Sequence, residues 1–277
     1  MEKKKRWLFL SILVAALGLV PLVVASGLTK GMTNDIPEEC IKFAARVLGG
    51  VLLILYIKKV YKIRIGIRKE NLIKGVFWYG LTIVLFVALI LVLSRSDYGT
   101  PDRSLVEILP LMAFYAVTNL GIGLLEESVC RCVLFNSFKA FFGDNKKGVY
   151  LAAFLSSLLF GVIHLGNLNG SNTISTITQV IYATFAGMLF AVIYYRSGNL
   201  LSCIILHGLV DFADCFWKLF FKNRGELMMI ESTTDSSIGD AVVTLALTSV
   251  FLIAALVQLH MEFRNTKKRG KVSLQEA

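Results

Sequence analysis

Charge is what this sequence has least of: 17% of its 277 residues are Asp, Glu, Lys or Arg, where a soluble domain carries about 25%. With 56% hydrophobic residues and a mean hydropathy of +0.68, the shortage argues against a water-soluble domain and points to a membrane protein. The net charge of +10 does not mark a nucleic-acid partner. The basic residues stand in short clusters at the ends of apolar runs, where they act as topology signals. Cysteine is sparse too. Cys40, Cys130, Cys132, Cys203 and Cys215 are odd in number, show no C-x-x-C spacing and nearly all lie in or beside apolar runs. That pattern argues against a disulfide framework and a thiolate zinc site, and for packed, reduced thiols. No internal repeat or low-complexity tract occurs, so the repeats of a secondary transporter are missing. Histidine is rarest of the groups that matter below, with three in the chain.

What is present is a series of apolar runs. Four cations at residues 3–6 precede the run 7–25, which reads as an uncleaved first span, although Val23, Val24 and Ala25 offer small residues to a signal peptidase. An acidic segment, 27–40, leads to a second span at 41–57. A basic amphipathic stretch, 58–69, belongs on the cytoplasmic membrane surface. A third span is predicted at 73–93, then a loop with Gly99 and Pro101. The next run, 105–142, would measure about 57 Å as one helix, beyond the ~30 Å hydrocarbon core, so it must bend, tilt or break, with Asn119, Gly121 and Gly123 as candidates for the break. Further spans are predicted at 149–165, 177–195, 200–221 and 241–259, with a charge-free loop at 166–175, a polar loop at 222–240 and a basic tail at 264–271. This makes an all-α bundle of about eight spans in three parts: 1–104, a core at 105–221, and 222–277. Twenty of the 29 Lys and Arg residues then lie on one side and seven on the other, with Arg46 and Arg131 inside spans. The positive-inside rule places both termini in the cytoplasm.

The chemistry sits where charge is least welcome. Glu126, Glu127 and Arg131 fall inside the run 105–142, where an unpaired charge costs about 2.5 to 3.5 kcal/mol at the centre of a spanning helix. Glu127 and Arg131 are i and i+4 and can neutralise each other, as a scaffold pair or as groups touching substrate. Glu126 lies about 100° round the helix and is left without that partner. His207 and Asp211 are also i and i+4, and a carboxylate there can fix an imidazole's tautomer or raise its basicity. Phe160 and His164 share a face of the fifth span. Counted from the cytoplasmic turn, Glu126 and His164 both come out at about 22 to 24 Å, so they are expected to meet; His207 comes out shallower, at about 12 Å. A lone intramembrane histidine can be a helix-to-helix hydrogen bond, but the ionisable set together reads as functional. His260, beside Glu262 and Arg264, reads as interfacial. The Phe and Leu stripes read as packing or lipid-facing surface.

Other intramembrane protease signatures are missing: there is no H-E-x-x-H, no G-x-S-G, and Gly121-Ile122-Gly123 is followed by Leu124 where an aspartyl type has Asp. The motifs that are present are Glu126-Glu127-x-x-x-Arg131, Phe160-x-x-x-His164 and His207-x-x-x-Asp211, in that order and on separate spans. In this the chain resembles the CPBP family, also called Abi, which joins CAAX prenyl endopeptidases to bacterial bacteriocin-processing and immunity proteins. The resemblance covers about residues 105–221. Two positions depart from the family pattern: Cys132, where glycine is expected, and Asp211, where the eukaryotic enzymes have asparagine. The resemblance implies an intramembrane endopeptidase with a CAAX-protease-like core, acting on a peptide or protein at the bilayer of a bacterial-type cell membrane. Glu126 would be the general base on a water, His164 would share that water, and His207 with Asp211 would stabilise the oxyanion. The same four residues, Glu126, His164, His207 and Asp211, would be the ligands if a divalent metal such as zinc takes part; a metal-free mechanism fits as well. The substrate stays open between a prenylated CAAX protein and a peptide leader or pheromone precursor. A non-hydrolytic immunity or scaffold protein is the alternative.

Overall fold

The apolar runs become helices. The computed structural model describes residues 2–32, 35–62, 69–169, 172–222 and 237–273, and among these there is no strand. In chain order the helices are α1 (Glu2–Gly18), α2 (Val20–Leu28), α3 (Asp35–Tyr61), α4 (Lys69–Ile73), α5 (Leu81–Leu93), α6 (Leu105–Glu127), α7 (Asn136–Phe142), α8 (Lys146–Ile163), α9 (Thr173–Ser197), α10 (Leu200–Phe216) and α11 (Ile238–Ser273). Among the described residues seven stretches are long and apolar enough to cross a membrane, and a bent pair, Asn71–Tyr79 with Leu81–Leu93, makes an eighth if it counts as one span. The protein is a polytopic membrane bundle of helices. Its first helix pair, α1 and α2, is nearly continuous because Pro21 sits in the first turn of α2, where the missing N–H costs nothing.

Local chemistry sets the ends. α6 opens with Ser104, whose backbone N–H and hydroxyl both donate to Glu107 at 2.8 Å. α8, α9 and α10 start under the side chains of Asn145, Asn172 and Asn199, each accepting from a backbone N–H in the first turn. Gly198, in the left-handed conformation at φ 62°, ends α9 and lets the chain reverse into α10. α3 carries Asp35 and Glu38 in its first turn and Lys58 and Lys59 in its last, each sign at the favoured end of the helix dipole.

Two departures from regular α-helix differ from what the sequence predicts. The third span bends by 55° where a π-helical turn, Lys74–Tyr79, meets α5. In the long run, Asn119, Gly121 and Gly123 do not break the helix. α6 runs straight through them, with the Asn119 amide donating back to the Tyr115 carbonyl at 2.7 Å. The glycines serve packing instead: the Phe43 ring lies where a Cβ on Gly121 would stand, and α10 crosses directly over Gly123. The irregular segment comes later, as a π-helix over Ser128–Phe135, and α7 continues to Phe142. Leu105–Phe142 is thus one 38-residue span with a π segment inside it.

α6 packs on α3 and α10, α8 on α9 and α7, and α9 on α11. The charge of Arg46 within α3 is met by Glu39 at 2.8 Å. Of the basic stretch 58–69, residues 63–68 lie outside the described residues, as do 223–236 of the polar loop, 170–171 of the charge-free loop and the chain beyond 273.

Candidate active site

Every residue of the π segment Ser128–Phe135 is buried. A π-helix bonds each N–H to the carbonyl five residues back, a widened turn that is rare and frequent at functional sites. Glu127 is the last residue before it and Arg131 lies within it. Glu127 is fully buried, and its Oε2 lies 3.0 Å from Arg131 Nε, in an ion pair whose alignment falls short of a hydrogen bond. The guanidinium also donates through Nη2 to the Gly187 carbonyl of α9 at 3.4 Å, and it lies over two aromatic rings, Phe160 at 5.0 Å and Phe190 at 5.2 Å. Removing one partner of such a buried pair leaves an uncompensated charge and costs about 3 to 5 kcal/mol.

The other oxygen of Glu127 holds His207. Oε1 lies 2.8 Å from His207 Nδ1, and a carboxylate can only accept there, so Nδ1 carries a proton. The contact depends on how closely α10 crosses α6. A Cβ on Gly123 would stand 2.6 Å from the Ile204 carbonyl oxygen and 3.3 Å from His207 Cβ, so only glycine admits this approach. The far side of the ring, Nε2, faces Glu126 Oε2 at 3.4 Å and Asp211 Oδ2 at 3.6 Å. The ring plane is fixed by Phe190, which stacks on it with centroids 5.3 Å apart and 16° between planes, and by the edge of Phe160 at 5.8 Å.

Two adjacent glutamates therefore have opposite surroundings. Both oxygens of Glu127 are engaged and none of its side chain is exposed, whereas among the described residues the ion-pair contact of Glu126 is with His207 Nε2 alone and 30% of its side chain is exposed. That is the arrangement of one orienting carboxylate and one carboxylate free to handle a proton.

His164 has no hydrogen bond or ion pair with the residue that its depth along the sequence pairs it with. It is the residue that follows α8, at the start of a 3-10 turn (His164–Asn169), and its Nδ1 pairs with the Phe160 carbonyl at 2.9 Å. It makes no hydrogen bond or ion pair with Glu126 or His207; the Phe160 ring contacts both histidines, at 5.1 and 5.8 Å. The partner that Glu126 actually meets is His207, the one the residue count puts too shallow. Of the four proposed metal ligands, Glu126 and Asp211 face His207 Nε2 and His164 has no polar contact with them; among the described residues no three His, Cys, Asp or Glu side chains are disposed to hold a metal ion. The donor set does not fit a zinc centre as it stands.

Phe190 and the Gly187 carbonyl are the parts of the site that sequence reasoning missed. Both lie on α9, one turn apart, and nothing in their composition separates them from the other 18 phenylalanines and 21 glycines of the chain.

Comparison with known families bears on the same region. Residues 108–213 match the family model described as type II CAAX prenyl endopeptidase, Rce1-like. The matched stretch runs from α6 to α10 and contains Glu126, Glu127, Arg131, His164, His207 and Asp211. No curated protein and no solved structure matches the chain.

Proposed function

From residues 108–213 as a domain of the Rce1-like CAAX endopeptidase kind, an intramembrane protease in general, we propose that this protein hydrolyses a peptide bond of a membrane-associated protein or peptide precursor with a water activated by Glu126. The observation that carries the reading is the unequal state of the two neighbouring glutamates: Glu127 is committed to Arg131 and His207, and Glu126 is not.

In the proposed reaction the Glu126 carboxylate takes a proton from water as the oxygen attacks the scissile carbonyl carbon. The carbonyl electrons move to oxygen, and the oxyanion is met by the Nε2–H of His207, acting as an imidazolium with both nitrogens protonated and held in place by Glu127 behind it and Phe190 beside it. Glu126 then passes its proton to the amide nitrogen, the C–N bond breaks, and a carboxylate and an amine leave. Asp211, one turn beyond His207, balances charge on Nε2. His164 has its Nδ1–H committed to the Phe160 carbonyl, which only accepts, so its Nε2 offers a lone pair to the water or to the substrate amide. A polar cavity is needed for any such chemistry within a membrane, and these side chains can line one.

The test is hydrolysis of an internally quenched peptide that ends in a prenylated cysteine followed by three residues, by the purified protein and by Glu126→Gln. The substitution keeps shape and hydrogen bonding and removes the base, so turnover should fall by about 10²- to 10⁴-fold with the protein folded and still binding the peptide. Undiminished turnover in Glu126→Gln would end the proposal and leave a binding or immunity role in its place.

A further inference from the structure

The mechanism above uses the π segment but does not explain what keeps it from relaxing to an α-helix. Asn136, fully enclosed at 4% exposure, sits where the segment returns to α-helix. Its backbone N–H bonds to the Val133 carbonyl, three residues back. That leaves the carbonyls of Cys132 and Arg131, the partners that an α-helix or a π-helix would assign to this same N–H, without it. The Asn136 side chain supplies the missing donor. Its Nδ2 lies 2.8 Å from the Cys132 carbonyl and 3.2 Å from the Arg131 carbonyl. The same nitrogen reaches the Tyr194 hydroxyl of α9 at 2.9 Å.

Tyr194 is not an arbitrary anchor. It lies one turn after Phe190 and two turns after Gly187, on the face of α9 that receives Arg131 and stacks on His207. Asn136 therefore ties the carbonyls of Arg131 and Cys132 to the same helix face that fixes the guanidinium and the imidazole. Reversion of the segment to α-helix would turn α6 against α7 by about 100° for each residue gained or lost. α6 is held by α3 and α10 and α7 by α8, so the rotation would be taken up between Glu127 and Asn136, where Arg131 lies.

We infer that Asn136 is a positioning residue: its amide holds the π segment open and, through Tyr194, sets the register in which Glu127 and Arg131 meet His207. The inference rests on the proposed hydrolase reading for its kinetic consequence and on the hydrogen bonds alone for its structural one.

Both arms are measurable on the full-length protein in detergent. Asn136→Leu keeps approximate volume and removes both donors, and it should raise amide hydrogen exchange over residues 128–135. It should also lower kcat on the prenylated peptide by about 10- to 100-fold with KM within about twofold, the cost of misplaced reacting groups. Tyr194→Phe removes only the outer tie and should cause a smaller loss of the same kind, while Asn136→Gln, which keeps the amide, should recover part of it. If Asn136→Leu does not fold, Tyr194→Phe and Asn136→Gln decide the matter by the same two readouts. Exchange over 128–135 and kcat both within about twofold of the unmodified protein would overturn the inference. If the unmodified protein does not cleave the peptide, or Glu126→Gln cleaves it as well, the hydrolase reading fails by itself, and the exchange measurement alone judges Asn136.

Discussion

His207 Nδ1 and Glu127 Oε1 lie 2.8 Å apart, joining two buried side chains that are 80 residues apart in the chain. Through that contact one carboxylate links two elements: Glu127 holds Arg131 of its own helix with one oxygen and the imidazole of α10 with the other. The site is thereby part of the packing between α6 and α10, and changes to either should show up in both stability and chemistry.

Arg131→Ala should be the most damaging single change to folding in the site. It removes the cation that, among the described residues, pairs with Glu127 besides the imidazole, together with two cation–π contacts and the bond to Gly187. A loss of about 3 to 5 kcal/mol is expected, read as reduced yield of folded protein and a lower unfolding temperature in detergent. Normal yield and unchanged melting would show that Glu127 is not balanced in the way described.

Gly123→Ala tests the close crossing of α6 and α10. The added Cβ would stand 2.6 Å from the Ile204 carbonyl oxygen, and the overpacking should cost about 1 to 3 kcal/mol. Because the same displacement carries His207 away from Glu127, kcat should fall more than stability alone accounts for. A variant equal to the parent in both would refute the steric argument.

The charge asymmetry of the sequence predicts the orientation of the bundle. Reporter fusions at residues 145 and 198 should report cytoplasm, and a fusion at residue 99 the opposite side. A cytoplasmic signal at residue 99 would reverse the assignment of the loops.

Much of this could be read from the residues alone. The spans follow from runs of apolar side chains, and the Glu127–Arg131 pair follows from i, i+4 spacing within one of them. What the sequence left open has a physical cause in each case. The depth count that paired Glu126 with His164 assumes straight, upright helices. His164 stands just past the end of α8 in a 3-10 turn, with no hydrogen bond or ion pair to Glu126, and α10 crosses α6 tightly enough at Gly123 to bring His207 to the glutamates. The π segment was invisible because i→i+5 bonding depends on packing and on a side-chain donor such as Asn136, and has no composition signature. Phe190 looked like one more core phenylalanine until its ring was found stacked on an imidazole.

The central claim is the division of labour between Glu126 and Glu127, and parallel measurement of Glu126→Gln and Glu127→Gln tests it most directly, by thermal unfolding in detergent and by kcat on the prenylated peptide. The account predicts that Glu126→Gln melts with the parent and loses about 10²- to 10⁴-fold in kcat. Glu127→Gln, which leaves Arg131 buried without its counter-charge, should melt well below the parent. A stable Glu127→Gln protein without activity beside a fully active Glu126→Gln protein would contradict the account and exchange the roles of the two residues.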